Sequence, residues 1–207
     1  MTMKTKRIAS LLLSAALLLS LAVPAFAENP TTEETAEPET AVQEVEPEAL
    51  TSALDELSAE GRTPFGVYLT SPDYLGFVQD IAGLSAVCHA HGLPLLVDNA
   101  HGAYLRFLEP SCHPLDLGAD LCCDSAHKTL PVLTGGAYLH ISRAAPASLR
   151  ESAKTAMAMF GSTSPSYLTL ASLDLCNRYL ADGYRDHLRE MCGHLEEAQK
   201  ALTAAGW

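Results

Sequence analysis

Short apolar runs alternate along the chain with stretches of helical periodicity. The apolar runs that predict strands cover residues 66–70, 93–97, 119–123 and 137–141. Continuous apolar runs of four to eight residues are typical of buried strands in a parallel sheet. A loop follows the first run at Ser71-Pro72, and the second run ends abruptly at Asp98.

Helical periodicity fills the spaces between these runs. Residues 78–90 place Ile81, Leu84 and Cys88 on one face, with Gly92 just past the helix end. Residues 146–159 are also predicted to be helical. The alternation of strands and helices favours an α/β domain with a largely parallel sheet.

A long helical region is predicted from Pro165, capped by Ser164. Within it, apolar side chains recur at steps of three and four, which indicates one buried helix face. The members of this predicted buried face are Tyr184, Leu188, Met191, Leu195, Ala198 and Leu202.

The first 27 residues have the pattern of a secretory signal peptide. A basic segment containing Lys4, Lys6 and Arg7 precedes the apolar residues 8–21, and Ala25-Phe26-Ala27 fits a small-x-small cleavage site. The pattern predicts export to the cell envelope or medium. The alternative is a membrane anchor that is not cleaved, although the apolar segment is shorter than the roughly 20 residues of a membrane span.

Acidic residues are concentrated directly after this leader. Residues 28–60 contain 11 of the 25 acids and no lysine or arginine, and the whole chain carries a net charge of -12. Such a balance argues against a nucleic-acid partner. A segment this poor in large apolar residues is predicted to be a largely disordered linker, with one short amphipathic helix over residues 49–60. The globular domain is then expected over residues 61–207.

The six cysteines allow two interpretations. Export permits disulfides, but Cys88, Cys122 and Cys123 fall on predicted buried surfaces and resemble the small core residues of a cytosolic-type fold. The eight histidines show no HExxH pattern and the cysteines no Cys-x-x-Cys pattern, so the sequence predicts no metal site.

Lys128 and Asp98 are the strongest candidates for chemistry. A lysine between two apolar runs is expected to be partly buried, which lowers the pKa of its amine and favours Schiff-base formation. Asp98 follows an apolar run at the strand end where parallel sheets bind their ligands. The alternatives are a lysine at an exposed turn and an aspartate that caps a helix or turn.

Four ordered sequence blocks resemble the major domain of the Orn/Lys/Arg decarboxylases, which are pyridoxal-phosphate enzymes of the aspartate-aminotransferase fold type I. The blocks are TSPDYLG at residues 70–76, VDNAHGA at 97–103, SAHKTLP with TGGA at 125–137, and STSPSY at 162–167. The likeness covers residues 66–207. It implies a partial large domain of this fold, with a mainly parallel sheet and a long C-terminal helical region.

The resemblance assigns roles to single residues. It implies that Lys128 forms the Schiff base with pyridoxal 5'-phosphate and that Asp98 pairs with the pyridine nitrogen, making the ring a better electron sink. Ala100 would pack on one face of the ring, or is an ordinary small core residue. His101 would contact substrate or cofactor as a second catalytic residue.

Phosphate contacts are implied at two further blocks. Ser125 and His127 would donate to the cofactor phosphate, although His127 is also explained as a core histidine. Ser162 and Thr163 would reach a phosphate across a homodimer interface, or act as simple helix-capping residues.

The resemblance leaves out two parts of the family's pattern, the glycine-rich phosphate loop with its ring-stacking residue and the C-terminal small domain. The resemblance implies decarboxylation of lysine, ornithine or arginine. Because these two parts of the pattern are absent, the alternative is a catalytically inactive exported fragment. An aminotransferase of the same fold and an exported binding module tethered by the acidic segment are further possibilities.

Overall fold

Four strands form one mixed sheet in the computed structural model, which describes residues 44–207. The strands are β1 (Val67–Thr70), β2 (Leu95–Asp98), β3 (Leu121–Asp124) and β4 (Tyr138–Ile141), in that spatial order. β1, β2 and β3 are parallel to one another, whereas β4 runs antiparallel to β3. The predicted α/β class with a mainly parallel sheet is confirmed, and each strand lies within two or three residues of its predicted place.

The described chain also contains six α-helices and two short 3-10 helices. The α-helices are α1 (Pro47–Ala59), α2 (Ile81–Ala90), α3 (Ala126–Thr129), α4 (Ala147–Phe160), α5 (Tyr167–Ala181) and α6 (Tyr184–Ala204). The 3-10 helices are Ala103–Phe107 and Pro114–Leu117. Helix α2 begins three residues later than predicted because Asp80 is its N-cap and accepts a hydrogen bond from the Gly83 N–H at 3.2 Å.

One face of the sheet carries the main hydrophobic core. Leu95, Val97 and Cys122 point to this face and pack with the buried side of α2, including Leu84. Leu54 of α1 is buried in the same cluster, as the leucine spacing of that helix predicts. The packed unit therefore begins before residue 61.

The opposite face of the sheet is more open. Tyr68 is 69% exposed on β1, and Cys123 is exposed on β3 while its neighbour Cys122 is fully buried. Successive side chains of a strand point to opposite faces, so only one of two adjacent cysteines can reach the core. The prediction that Cys123 is a buried core residue is wrong for this reason.

The C-terminal helical region differs from its prediction. Ser166, rather than Ser164, is the N-cap, and its hydroxyl accepts a hydrogen bond from the Thr169 N–H at 3.3 Å. Gly183, with a φ of 80°, separates α5 from α6. This left-handed conformation is unfavourable for residues with a Cβ, so the region forms two helices rather than one.

The predicted buried face of the last helix is mostly wrong. Of its six members, Leu188 is buried, Tyr184 and Leu195 are half-buried, and the other three are exposed. The three exposed members are Met191, Ala198 and Leu202. Tyr184, Leu188 and Cys192 of α6 pack against the 3-10 helix Ala103–Phe107 and against α5. The exposed members Ala198 and Leu202 lie farther along α6, outside the hydrophobic clusters of the described residues.

The leader at residues 1–27 and residues 28–43 of the predicted acidic linker lie outside the described residues. Within residues 44–207 no helix combines the length and apolar character that crossing a membrane requires. All six cysteines are free, and four of them are buried. The core interpretation is confirmed for Cys88 and Cys122, and two cysteines outside that prediction, Cys112 and Cys176, are also buried.

Candidate active site at the carboxyl ends of the strands

Asp98 and Lys128 are brought to one edge of the sheet by the parallel pairing of β2 and β3. Asp98 is the last residue of β2 and is in register with Cys123, the penultimate residue of β3. The chain then enters α3, whose third residue is Lys128. Because parallel strands end at the same edge, two sequence blocks almost thirty residues apart become neighbours there.

Lys128 is in direct contact with His101. The Lys128 Nζ and His101 Nε2 atoms are 3.0 Å apart. The aromatic ring of Tyr74 makes an edge contact with the His101 ring, with 4.9 Å between ring centroids, and lies 6.0 Å from Lys128 Nζ. The Lys128 side chain is exposed, so the prediction that apolar runs bury this lysine is wrong. Helix α3 is only one turn long and carries the side chain outward.

The surroundings of His101 lower its pKa and so favour the neutral ring. Burial lowers the pKa of His101, and the adjacent positive charge of Lys128 lowers it further, against a smaller opposing effect of a hydrogen bond to the Asp73 backbone. We assign the tautomer from these partners: Nδ1–H donates to the Asp73 carbonyl, and the Nε2 lone pair faces the Lys128 ammonium. His101 Nε2 is therefore a hydrogen-bond acceptor for Lys128 Nζ.

Replacing Lys128 by methionine is expected to raise the pKa of His101, because the variant removes the neighbouring positive charge that favours the neutral ring. An NMR titration of the imidazole resonances measures this shift. Lys154→Met on α4 is the matched control, since Lys154 is an exposed lysine in another helix, and the pKa should not change there. An unchanged His101 pKa in Lys128→Met would contradict the contact.

Both oxygens of the Asp98 carboxylate have hydrogen-bond donors. Oδ1 accepts from the Ala100 N–H at 3.0 Å, and Oδ2 accepts from the Tyr68 hydroxyl at 3.2 Å. The first contact is the turn contact that the alternative interpretation predicts for an aspartate after a strand. The second comes from β1 and was not anticipated. Burial and the Asp98 charge raise the pKa of Tyr68, so this hydroxyl keeps its proton and stays a donor.

The candidate phosphate ligands are divided between two places. His127 is half-buried on α3, where its Nδ1–H donates to the Gly136 carbonyl at 2.9 Å. Ser125 occupies the N-cap position of α3 without a side-chain capping bond. Ser162 and Thr163 instead lie exposed between α4 and α5, and within residues 44–207 no hydrogen bond connects them to Lys128. Ser162 Oγ accepts from the Ser164 N–H at 3.1 Å, a local turn contact.

A second polar cluster lies on the core face of the sheet and was missed in the sequence. Asp124 Oδ2 is 3.1 Å from His113 Nε2 and 3.1 Å from His140 Nε2, and Asp124 Oδ1 accepts from Asn99 Nδ2 at 2.6 Å. Asp124 ends β3 and His140 lies on β4, whereas His113 precedes the 3-10 helix Pro114–Leu117 and Asn99 follows β2. In the sequence, Asn99 and Asp124 directly follow apolar runs, but no local pattern marks His113 or His140.

This cluster borders a cavity of about 490 Å³ that Asp98, His101 and Lys128 do not line. Its apolar wall includes Ala103, Phe107 and Leu130, and its polar wall includes His113 and His140. The cavity and the Lys128 group are separated by the sheet, because Asp98 and Asp124 occupy alternate positions and point to opposite faces. The Lys128 group and the Asp124 cluster therefore lie on opposite faces of the sheet.

Comparison with known proteins establishes the family. The model of the Orn/Lys/Arg decarboxylase major domain matches residues 10–206, and the chain belongs to this family. The match begins well before residue 66, so the sequence blocks underestimated its extent.

Individual relatives match over part of their length. The chain is 40% identical over 116 residues to an uncharacterized protein of Bacillus subtilis, YaaO, covering 56% of this chain and 24% of that protein. It is 34% identical over 140 residues to an arginine decarboxylase of Halalkalibacterium halodurans, covering 67% and 28%. A crystal structure of mouse CSAD in apo form is 33% identical with a TM-score of 0.37, covering 41% and 19%. The chain thus spans about a quarter of the length of these curated relatives.

Proposed function

We propose that this chain carries the catalytic lysine of a pyridoxal-phosphate-dependent decarboxylase that acts on lysine, ornithine or arginine. The observation that supports this most directly is the 3.0 Å contact between Lys128 and His101 beside Asp98, at the carboxyl ends of two parallel strands. Family membership and the arginine decarboxylases among the relatives point to the same reaction class.

The residues at this edge fit the chemistry of the cofactor. A Schiff base requires an accessible amine, and Lys128 is exposed. A protonated pyridine nitrogen requires an anionic partner, and the Asp98 carboxylate is half-buried with both oxygens oriented by Tyr68 and Ala100. Carboxylate oxygens accept more than one hydrogen bond, so these contacts leave capacity for the ring nitrogen.

Lys128 and His101 would divide the proton handling between them. An ammonium is not nucleophilic, so Lys128 must lose a proton before it can bind a carbonyl carbon. The Nε2 lone pair of the neutral His101 lies 3.0 Å from Lys128 Nζ and can take that proton. When bound, pyridoxal phosphate supplies an electron sink for the electron pair left by the departing carbon dioxide.

The phosphate group would be held at the start of α3. His127 Nδ1–H donates to the Gly136 carbonyl, which fixes the ring, and Nε2 would donate to the phosphate in the protonated, imidazolium form of the ring. The Ser125 hydroxyl, next to it, makes no capping bond and is a second donor. For Ser162 and Thr163, which are exposed, we propose contact with a phosphate in the other subunit of a homodimer.

An aminotransferase reaction is the second candidate on the same residues. Both reactions begin at the amine of Lys128, and they differ in the product. Incubation with arginine, lysine or ornithine should release carbon dioxide and the corresponding amine. A keto acid would instead assign the chain to transamination.

Reductive trapping tests the cofactor site itself. After incubation with pyridoxal phosphate, borohydride should fix a phosphopyridoxyl group on Lys128, which mass spectrometry of the digested protein would locate. Lys154→Met serves as the control because Lys154 is also exposed, and this variant should be labelled at Lys128 as fully as the wild type. Scattered labelling over the lysines, or labelling that persists in Lys128→Met, would contradict the proposal and favour a catalytically inactive chain.

A further inference from the structure

We propose that His113, Asp124 and His140 form a binding site for a divalent transition-metal ion of the Zn²⁺ type, separate from the Lys128 site. The three ligand atoms lie within 4.8 Å of one another. Two imidazole nitrogens and one carboxylate are a ligand set that suits Zn²⁺ and its neighbours in the transition series. The described residues contain this one such group of three.

Two of the three ligand separations match a shared metal, and the third is within 4.8 Å. Zn²⁺ binds nitrogen and oxygen ligands at about 2.0–2.2 Å, so two ligands of one tetrahedral ion lie about 3–3.5 Å apart. Both imidazole Nε2 atoms are 3.1 Å from Asp124 Oδ2. The side chains of His113 and Asp124 are each 4% exposed, whereas that of His140 is 37% exposed. His140 can therefore adjust its ring to close the ligand triangle.

The surroundings orient the carboxylate and leave room for an exchangeable ligand. Asn99 Nδ2 donates to Asp124 Oδ1 at 2.6 Å, which holds the other oxygen towards the two histidines. Such contacts from residues behind the ligands tune metal affinity. On the open side, His113, Asp124 and His140 line the cavity of about 490 Å³, which could supply water or a small molecule as a fourth ligand.

Metal binding would replace existing hydrogen bonds. The two neutral rings that now present Nε2–H to Asp124 would change to the Nδ1–H tautomer, because a metal-bound imidazole nitrogen carries no proton. In His113 the ring proton would move to Nδ1, at the expense of the 3.4 Å contact from the Leu115 N–H. That contact is long for a hydrogen bond. The two imidazole nitrogens of the site favour Zn²⁺ over Mg²⁺ or Ca²⁺, which prefer oxygen ligands.

The test is a Zn²⁺ titration of the full-length, fully reduced chain against a chromogenic chelator, without pyridoxal phosphate. We expect one equivalent to bind, and His140→Gln to weaken its affinity by at least about 100-fold, since even residues behind the ligands change affinity by about 10–100-fold. His89→Gln is the matched control. His89 Nε2 lies 2.9 Å from Asp120 Oδ2, a similar pair without a third ligand, and its loss should leave the affinity unchanged.

Co²⁺ substitution gives an independent readout. Co²⁺ bound by His113, Asp124 and His140 should absorb visible light. This absorption should be present in the wild type and in His89→Gln and absent in His140→Gln. Far-ultraviolet circular dichroism checks that His140→Gln remains folded, which its partly exposed side chain favours. Equal Zn²⁺ affinity in His140→Gln and wild type would assign the binding to cysteines and overturn the proposal, and so would the absence of binding. Neither outcome depends on trapping at Lys128.

Discussion

Replacing Asp98 by asparagine should lower the rate of the proposed decarboxylation by about 10- to 1000-fold. A carboxylate beside a titratable nitrogen raises its pKa by roughly 1–3 units, and each unit corresponds to about tenfold in the protonated fraction. Asparagine has the same shape and keeps an oxygen for the Ala100 N–H, which Asp98 accepts at 3.0 Å. The variant therefore removes charge and preserves the turn. Carbon dioxide release at saturating cofactor measures the effect.

Two further measurements isolate the role of the Asp98 charge. Borohydride should still fix the cofactor on Lys128 in Asp98→Asn, because the lysine amine is unchanged. Asp174→Asn, which changes a carboxylate exposed on α5 and paired with Arg178, should leave the rate at the wild-type value. A full rate in Asp98→Asn would show that the ring nitrogen does not depend on this carboxylate.

Replacing Asp124 by asparagine should lower the free energy of unfolding by about 2–4 kcal/mol. The Asp124 side chain is 4% exposed and accepts hydrogen bonds from His113, His140 and Asn99. Asparagine turns one acceptor oxygen into an NH₂ group that faces other donors, and a buried polar group without a partner costs roughly this amount. Urea denaturation with a chelator present measures the change without any contribution from metal.

The same carboxylate predicts how the effect depends on pH. Burial alone would raise the pKa of Asp124, but the hydrogen bonds from the two histidines outweigh it and hold the pKa well below its ordinary value of 3.8. Because the pKa is depressed in the folded state, the ionised carboxylate stabilises the fold at pH values above its ordinary pKa of 3.8, and this stabilisation is lost as the pH falls below that pKa. The difference between wild type and Asp124→Asn should therefore shrink progressively below about pH 4.

An exposed pair of the same kind supplies the control for stability. Asp55 Oδ1 lies 3.2 Å from His91 Nε2, and the Asp55 side chain is 70% exposed. Asp55→Asn should change the free energy of unfolding by less than about 1 kcal/mol, as is usual for exposed ion pairs. Equal changes in the free energy of unfolding for Asp124→Asn and Asp55→Asn would mean that the burial of Asp124 does not add to the stability of the fold.

Local sequence was sufficient for most of the strands and for the residues at their ends. Continuous apolar runs identified all four described strands, and the abrupt change from Val97 to Asp98 marked the end of β2. The position and the end of a strand can be predicted locally, because both follow from the apolar and polar residues next to each other in the chain. The long helices were located approximately, but the one-turn helix α3, the 3-10 helices and the break at Gly183 were not predicted. The N-cap of α5 was also misplaced, because serine is a favourable N-cap at both Ser164 and Ser166.

Exposure was the property that local patterns predicted least well. Lys128 follows an apolar run yet is exposed, and Met191 and Leu202 continue a helical periodicity yet are exposed. A pattern shows which side chains could be buried on one face, whereas burial itself requires another element to cover that face. Cys122 and Cys123 are the simplest case, since two adjacent apolar residues of one strand lie on opposite faces.

The sequence by itself determined the family and the α/β class and indicated Lys128 and Asp98 as candidate site residues, because all of these follow from contiguous sequence blocks. Only the tertiary structure decided which groups surround them. The contact of Lys128 with His101, the Tyr68 hydroxyl on Asp98, and the cluster of His113, Asp124 and His140 all join residues from separate elements. Such contacts arise from strand order and register, and no local pattern in a single sequence encodes distances between distant residues.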